Sequence, residues 1–392
     1  TIQHHTQKGT HCPMRAYFYD IESLSNVFTL CNFIPHENKI DIYYLVDDLS
    51  LVSDPDFENA LLTRIHEKNK NFTGSIELFN LLSRPANEHL ARAFGLSDSY
   101  LVNDPNAPSS YDPSFRPVSD TDPDYSDDNH PYIMGYNAYN YDTTMLAMYL
   151  YEVFPLNYDY APNGGGEIVS TMGFKPTTAK LMRSYNDDLF LPRFKENMPT
   201  RLLQTYDPSS HAWSQSDYSD TRHKIRKSML MTGRHLDVAR LNEKQSKVGL
   251  KRLLGMLGYQ ILESDKLGHD QSTIENMDQL LDLIAYNVSD VVNLEKLFYD
   301  QNYKSAFDLK KRLLETYPEL VYDRIKGKYE PDKRPFRVRR DRLMIDSSSA
   351  QLATKCLCPY DHLTDIPCVS FMYPSEKKSK ELGIPRVNVL EE

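Results

Sequence analysis

The sequence predicts an α/β domain: a mixed sheet flanked by helices, with long inserts and a C-terminal extension. Three observations carry this. The chain opens on three strand-like runs divided by short turns. A fourth, shorter run leads directly into an amphipathic helix. The strongest periodic segment, 274–298, repeats its apolar residues at helical intervals.

In chain order, 16–22 (AYFYDIE) reads as an aromatic-rich strand. Runs 27–34 and 40–46 follow as antiparallel partners, with Pro35, His36, Glu37 and Asn38 as turn residues between them. Residues 57–66 place Phe57, Leu61, Leu62 and Ile65 on one helical face. The Asp-, Pro- and Ser-rich stretch 103–129 reads as a loop. Residues 132–136 form a short strand, and a helix begins near Asp142. Stretch 155–166 reads as a second loop, and 177–234 shows no clear pattern. A helix over 250–257 aligns Leu250, Leu253, Leu254 and Leu257. In 274–298, Leu280, Leu281, Ile284, Val288, Val291, Leu294 and Leu297 make the core stripe, and another helix runs from 303 to 317. A meander followed by strand–helix alternation suggests an α/β domain of the ribonuclease-H type, which periodicity alone does not settle.

Composition narrows the class of function. The 392 residues are 40% hydrophobic and 26% charged, as in an ordinary globular protein. No apolar run approaches the roughly 18 residues of a membrane span, so no membrane partner and a cytoplasmic location are expected. Cys12, Cys31, Cys356, Cys358 and Cys368 form no zinc-site spacing, which fits a reducing compartment and unpaired thiols. Net charge is −10, whereas proteins that hold duplexes by counterion release are usually basic. Contact with nucleic acid is then local, and 223–227 (HKIRK) and 333–340 (KRPFRVRR) are the basic stretches available. Such runs are more often solvated faces.

Three acidic elements carry the chemistry. Asp20 and Glu22 are two apart in the first strand, so both side chains leave one face. Two ionised carboxylates among aromatic neighbours need a positive partner, and hard oxygen donors suit Mg²⁺ or Mn²⁺. Taken alone, Asp-x-Glu is more often a strand end reaching water. Asp142 closes the run Gly135-Tyr136-Asn137-Ala138-Tyr139-Asn140-Tyr141-Asp142 at a strand-to-helix junction, where a helix cap is the commoner explanation. Tyr286 and Asp290, four apart in the long helix, share a face that also carries Asp282, as a surface pair would.

The order of the three elements matters more than any one of them. Asp-x-Glu, then Gly-Tyr-Asn-x3-Tyr-Asp, then Tyr-x3-Asp resembles the three motifs of the DnaQ-like proofreading exonucleases of DNA polymerases, in the form with tyrosine in the third motif. The middle motif resembles the form found in family-B polymerases. His235-Leu236-Asp237 and the Leu-Lys-rich 246–258 resemble the strand and helix between the second and third motifs. The resemblance covers roughly residues 15–300.

The resemblance implies a two-ion 3′→5′ exonuclease that releases nucleoside 5′-monophosphates from single-stranded DNA 3′ ends. Asp20 would bridge two Mg²⁺ or Mn²⁺ ions, Glu22 and Asp290 would ligate one, and Asp142 would act on the other mainly through water. Tyr286 would orient the attacking water, its ordinary pKa near 10 making it a poor base. Asn137 and Tyr141 would help position the strand end. The expected organisation is a lead-in at 1–13, an exonuclease domain at 14–300 with inserts near 71–129 and 155–234, and a linker or start of a polymerase region at 301–392. Stretches 341–350 and 369–375 are similar to the segment joining exonuclease to polymerase in phage replicative enzymes, which implies a polymerase domain or subunit as partner and, for a phage protein, the bacterial host cytoplasm. Cys368 stands where a palm aspartate would precede Tyr373-Pro374-Ser375, so no palm is assigned. A stand-alone exonuclease on RNA or repair intermediates, and a catalytically silent DNA-guiding module, remain the alternative functions.

Overall fold

Aromatic and β-branched residues concentrate at the start of the chain, and these form the middle of a six-stranded sheet in the computed structural model. The structure describes residues 15–94, 131–154, 156–160, 168–172, 174–190, 205–207, 212–214, 235–241, 248–259, 261–262, 273–317, 320–323, 326, 328–331, 345 and 347–357. The strands are β1 (Ala16–Ser23), β2 (Val27–Ile34), β3 (Lys39–Val46), β4 (Ser75–Asn80), β5 (Tyr132–Gly135), β6 (Leu156–Tyr160), β7 (Ile168–Met172), β8 (Thr205–Asp207), β9 (Ala212–Ser214), β10 (His235–Asp237), β11 (Leu320–Asp323) and β12 (Lys328–Pro331). The main sheet has the order β10-β5-β1-β2-β3-β4. β1, β2 and β3 form the expected antiparallel meander, while β5 joins β1, β10 joins β5 and β4 joins β3 in parallel.

Helices cover both faces of this mixed α/β sheet. They are α1 (Phe57–Lys68), α2 (Arg84–Ala93), α3 (Asp142–Val153), α4 (Ala179–Phe190), α5 (Val238–Leu241), α6 (Leu250–Met256), α7 (Met277–Asp300), α8 (Tyr303–Thr316) and α9 (Ser349–Leu357). Side-chain alternation along β1 divides the core in two. Ala16 and Phe18 pack with the apolar stripe of α7 and with α1. Tyr19 and Ile21 pack with α2 and α3 on the other side. Asp20 and Glu22 continue the row of Ala16 and Phe18, so the sheet directs both towards α7.

One segment differs from its sequence-based expectation, and others supply elements that the sequence left unspecified. Leu156–Tyr160, expected within a loop, pairs antiparallel with Ile168–Met172, because its alternating aromatic residues suit a strand. The start of the expected insert at 71–129 supplies β4, an edge strand of the main sheet, and α2, which buries Leu90 in the core. In 177–234, where no pattern was legible, α4 packs Met182 into the α3 side and β8 pairs with β9. Beyond residue 300, α8 buries Tyr303, Phe307 and Leu314 in the same core as α7, and Leu352 of α9 joins them. The stretches 1–13, 103–129, 223–227, 333–340 and 369–375 lie outside the described residues. Among the described residues, no helix is long and apolar enough to cross a membrane.

Candidate functional site

The site forms where β1 outruns its parallel neighbour. β5 pairs with β1 only as far as Phe18, opposite Met134, and then turns away through a short 3-10 helix, Ala138–Asn140, into α3. The turn is tight: a Cβ on Gly135 would stand 2.6 Å from Ala138 Cβ and 3.1 Å from the Tyr19 ring, so only glycine fits. Past Phe18, the backbone of β1 faces the start of α3 instead. There Asp142 Oδ1 accepts a hydrogen bond from Ile21 N–H at 3.2 Å. Asp142 is therefore not the simple helix cap that its position suggests: it is the first residue of α3 and its carboxylate reaches across to β1.

Across the strand, α7 completes the cluster. Asp20, Glu22 and Asp290 each offer an oxygen, and these atoms all lie within 4.8 Å of one another. Asn287, one helical turn from Asp290, donates from Nδ2 to Asp20 Oδ2 at 3.1 Å. The Tyr286 hydroxyl hydrogen-bonds the Asp290 carboxylate. Lys251, exposed on α6, places Nζ 4.3 Å from the centroid of the Tyr286 ring, a cation–π contact. The α7 face predicted to carry Tyr286 and Asp290 is thus the face that closes the site. Asp282 is taken elsewhere, by Arg64 and by Lys68 at 3.2 Å on α1.

Electrostatics single the cluster out. Burial pushes Asp20 well above the usual carboxylate range, and the charges of Asp142, Glu22 and Asp290 add to it, with Lys251 opposing. Burial and then Asp290 push Glu22 up to about 7. Asp290 is pushed up to about 6 by burial, despite Lys251 and the Tyr286 hydroxyl. Burial likewise raises Asp142, even with its backbone hydrogen bonds. The Tyr286 phenol is raised by burial first and then by Asp290 and Glu22, so it stays a hydrogen-bond donor.

Carboxylates crowded this closely favour a cation that neutralises them. Two buried polar atoms beside them fit the same demand: Thr29 Oγ1, on the residue opposite Glu22 in β2, and Asn287 Oδ1 have no hydrogen-bond partner among the described residues. The acidic triad Asp20, Glu22 and Asp290 could hold a metal ion.

Tyr141 belongs to this group, since its phenol is raised by burial and then by Glu22, Asp142 and Asp20. Asn137 is organised differently. It is exposed, with a left-handed backbone (φ 57°), and its N–H donates to Asp237 Oδ1 at 2.8 Å. Asp237, 1% exposed at the end of β10, also accepts from Ala239 N–H at 3.1 Å. Sequence reasoning assigned no role to Asp237, Lys251, Asn287 or Thr29. Asn287 was readable as the neighbour of Tyr286 on the same helix. Thr29 emerges only from the β1–β2 register, and Asp237 and Lys251 only from the packing of β10 and α6.

No family model, no curated protein and no solved structure matches the chain.

Proposed function

We propose that the chain is a metal-dependent 3′→5′ exonuclease with a ribonuclease-H-like, DnaQ-type fold, removing nucleoside 5′-monophosphates from single-stranded DNA 3′ ends as the proofreading part of a DNA polymerase. One observation carries the reading: the carboxylates of three separate motifs meet, with Asp20, Glu22 and Asp290 oxygens inside 4.8 Å and Asp142 against the same strand. Residues that merely decorated a surface would have no reason to converge from β1, α3 and α7.

In this reading Asp20, Glu22, Asp142 and Asp290 would hold two Mg²⁺ or Mn²⁺ ions. Such ions, when bound, activate the attacking water and stabilise the leaving 3′ oxygen. The protein's own residues position the parts. Asn287 fixes the Asp20 carboxylate through Oδ2. Tyr286, kept protonated, holds the Asp290 carboxylate and orients water beside it. Asn137 and Tyr141, at either end of the short helix that leads to Asp142, contact the strand end. Water adds to the terminal phosphorus, the 3′ oxygen departs with its electron pair and gains a proton, and a nucleoside 5′-monophosphate is released. A polymerase domain or subunit delivers the single-stranded end.

End-labelled single-stranded DNA and RNA, incubated with Mg²⁺, with Mn²⁺ and with EDTA, test the reading. Stepwise shortening of DNA from the 3′ end, absent in EDTA, is expected. Shortening of RNA alone would move the assignment to a stand-alone ribonuclease, and no digestion by either ion would overturn it.

A further inference from the structure

The other flank of α7 carries a second polar feature. An open pocket of about 170 Å³ lies between α7, the segment after α6 and the loop leaving α1. Lys68, Lys70 and Lys296 line it, with Tyr259, Ser289 and Asn293. The pocket is built, not incidental. Asn69, at the end of α1, donates from Nδ2 to Ala285 O at 3.0 Å and so ties the lysine-bearing loop to α7. Ser289 and Asn293 are buried polar side chains on this flank of α7, a placement that costs stability unless their polarity is used. Asn293 Nδ2 donates to Ser289 Oγ at 3.2 Å, which leaves the Ser289 hydroxyl hydrogen to be given to another acceptor.

Charge points the same way. Lys68 is engaged by Asp282 at 3.2 Å. Lys70 and Lys296 are in no ion pair among the described residues, although Lys296 feels its neighbour Glu295. Asp300 accepts a hydrogen bond from the Tyr259 phenol at 3.3 Å. In a chain of net charge −10, two lysines that are in no ion pair among the described residues and that line one pocket with hydroxyl and amide groups favour an anion with several acceptor oxygens.

We propose that this pocket binds a phosphate group through Lys70, Lys296 and the Ser289 hydroxyl. The phosphate comes from the backbone of a nucleic-acid strand or from a free phosphate or mononucleotide; the strand as source rests on the exonuclease reading. Asn293 stands three residues beyond Asp290, about 4.5 Å along the helix axis, so one strand can address both flanks of α7.

Two arms test this with the whole 392-residue chain in EDTA, so that no strand is cut. In the first, inorganic phosphate at constant ionic strength raises the melting temperature of the wild type, and Lys70→Gln with Lys296→Gln abolishes the rise. In the second, the same double variant binds a short single-stranded DNA roughly tenfold more weakly. Its slope of log affinity against log salt falls by about 0.7 for each phosphate that the variant no longer neutralises. Lys304→Gln with Lys311→Gln, the same charge change on α8, is the control. Loss in both arms assigns the site to a backbone phosphate, and loss in the first alone assigns it to a free anion. No change in either arm, or an equal change in the control, overturns the proposal. A phosphate response that persists in a protein digesting no strand would remove the exonuclease reading and leave the pocket standing.

Discussion

Asp282 and Asp290 sit eight residues apart on the same helix, both buried, and the protein treats them in opposite ways. Around Asp282 the charge is matched: Arg64 and Lys68 reach it from α1, and Arg64 also holds Asp278. Around Asp290 the nearest charged partners include Glu22 and Asp20, and Lys251 opposes them. A buried carboxylate that serves the fold is given cations by the fold. One that serves a ligand is left for the ligand to neutralise, and the apoprotein carries the repulsion. Under the proposed function, this difference marks Asp282 as a structural acid and Asp290 as a functional one without reference to any motif.

The largest expected effect comes from removing the unmatched side. Asp20→Ala with Glu22→Ala should lower the single-turnover rate on a labelled strand by at least about 10⁴-fold, because two of the carboxylates proposed to hold the ions are gone. The metal-free double variant should also melt at or above the wild-type temperature near pH 8, since two repelling charges are gone. Full activity in this variant would remove Asp20 and Glu22 from the site.

Asp282→Ala should do the reverse. Arg64 and Lys68 lose their shared partner, and unfolding free energy should fall by about 3 kcal/mol. Rates at saturating strand should stay near wild type below the new melting range. A stability loss accompanied by a matching loss of kcat would show that the two halves of α7 are not separable.

Acidity sharpens the contrast further. Asp20, Glu22 and Asp290 all have folded-state pKa values above their unfolded values, Glu22 at about 7 and Asp290 at about 6. A raised carboxylate contributes stability that is fully present below its unfolded pKa and is lost as pH rises through the folded one. The metal-free protein should therefore lose melting temperature between about pH 5 and pH 8. Mg²⁺ should recover that loss at pH 8 and do little at pH 5, where protons already occupy the oxygens. Melting curves in EDTA and in Mg²⁺ across this range measure it. A cation effect independent of pH would place the binding elsewhere.

How much of this was legible in the sequence depends on whether the signal was local. The β1–β3 meander, α1, α6, α7 and α8 follow from strand alternation and helical spacing within each segment. Asp20, Glu22, Asp142, Tyr286 and Asp290 were readable as one candidate group because their order along the chain carries information that no single motif does. Leu156–Tyr160 was not, because the neighbouring Pro162 and three glycines suggest a loop, whereas pairing with Ile168–Met172 is a property of two segments. β4 hid for the same reason: its residues are half-buried or exposed, so an edge strand shows little apolar contrast. Asp237 and Lys251 acquire meaning only when β10 is laid beside β5 and α6 against α7. The distinction between Asp282 and Asp290 was likewise invisible, since both are aspartates on one helix and only α1 tells them apart.

The smallest effect concerns Tyr286, which lies between the two regimes: it belongs to the unmatched cluster yet carries no charge. Its hydroxyl hydrogen-bonds Asp290, and its ring lies under Lys251 at 4.3 Å. Tyr286→Phe deletes the first interaction and keeps the second, so packing and the cation–π pair survive and only the hydrogen bond disappears. One such bond to a charged group supports a fall in single-turnover rate of roughly 10- to 100-fold, with little change in strand affinity or melting temperature. The profile against pH gives the second reading. Because that hydrogen bond holds the Asp290 carboxyl down, its removal should move the acid side of the profile to higher pH. The phenol itself is raised far from neutrality by burial, so no basic limb should belong to it in either protein. A phenylalanine variant that matches wild type in rate and in profile would make Tyr286 a packing residue of α7, leaving the carboxylates to orient the water alone.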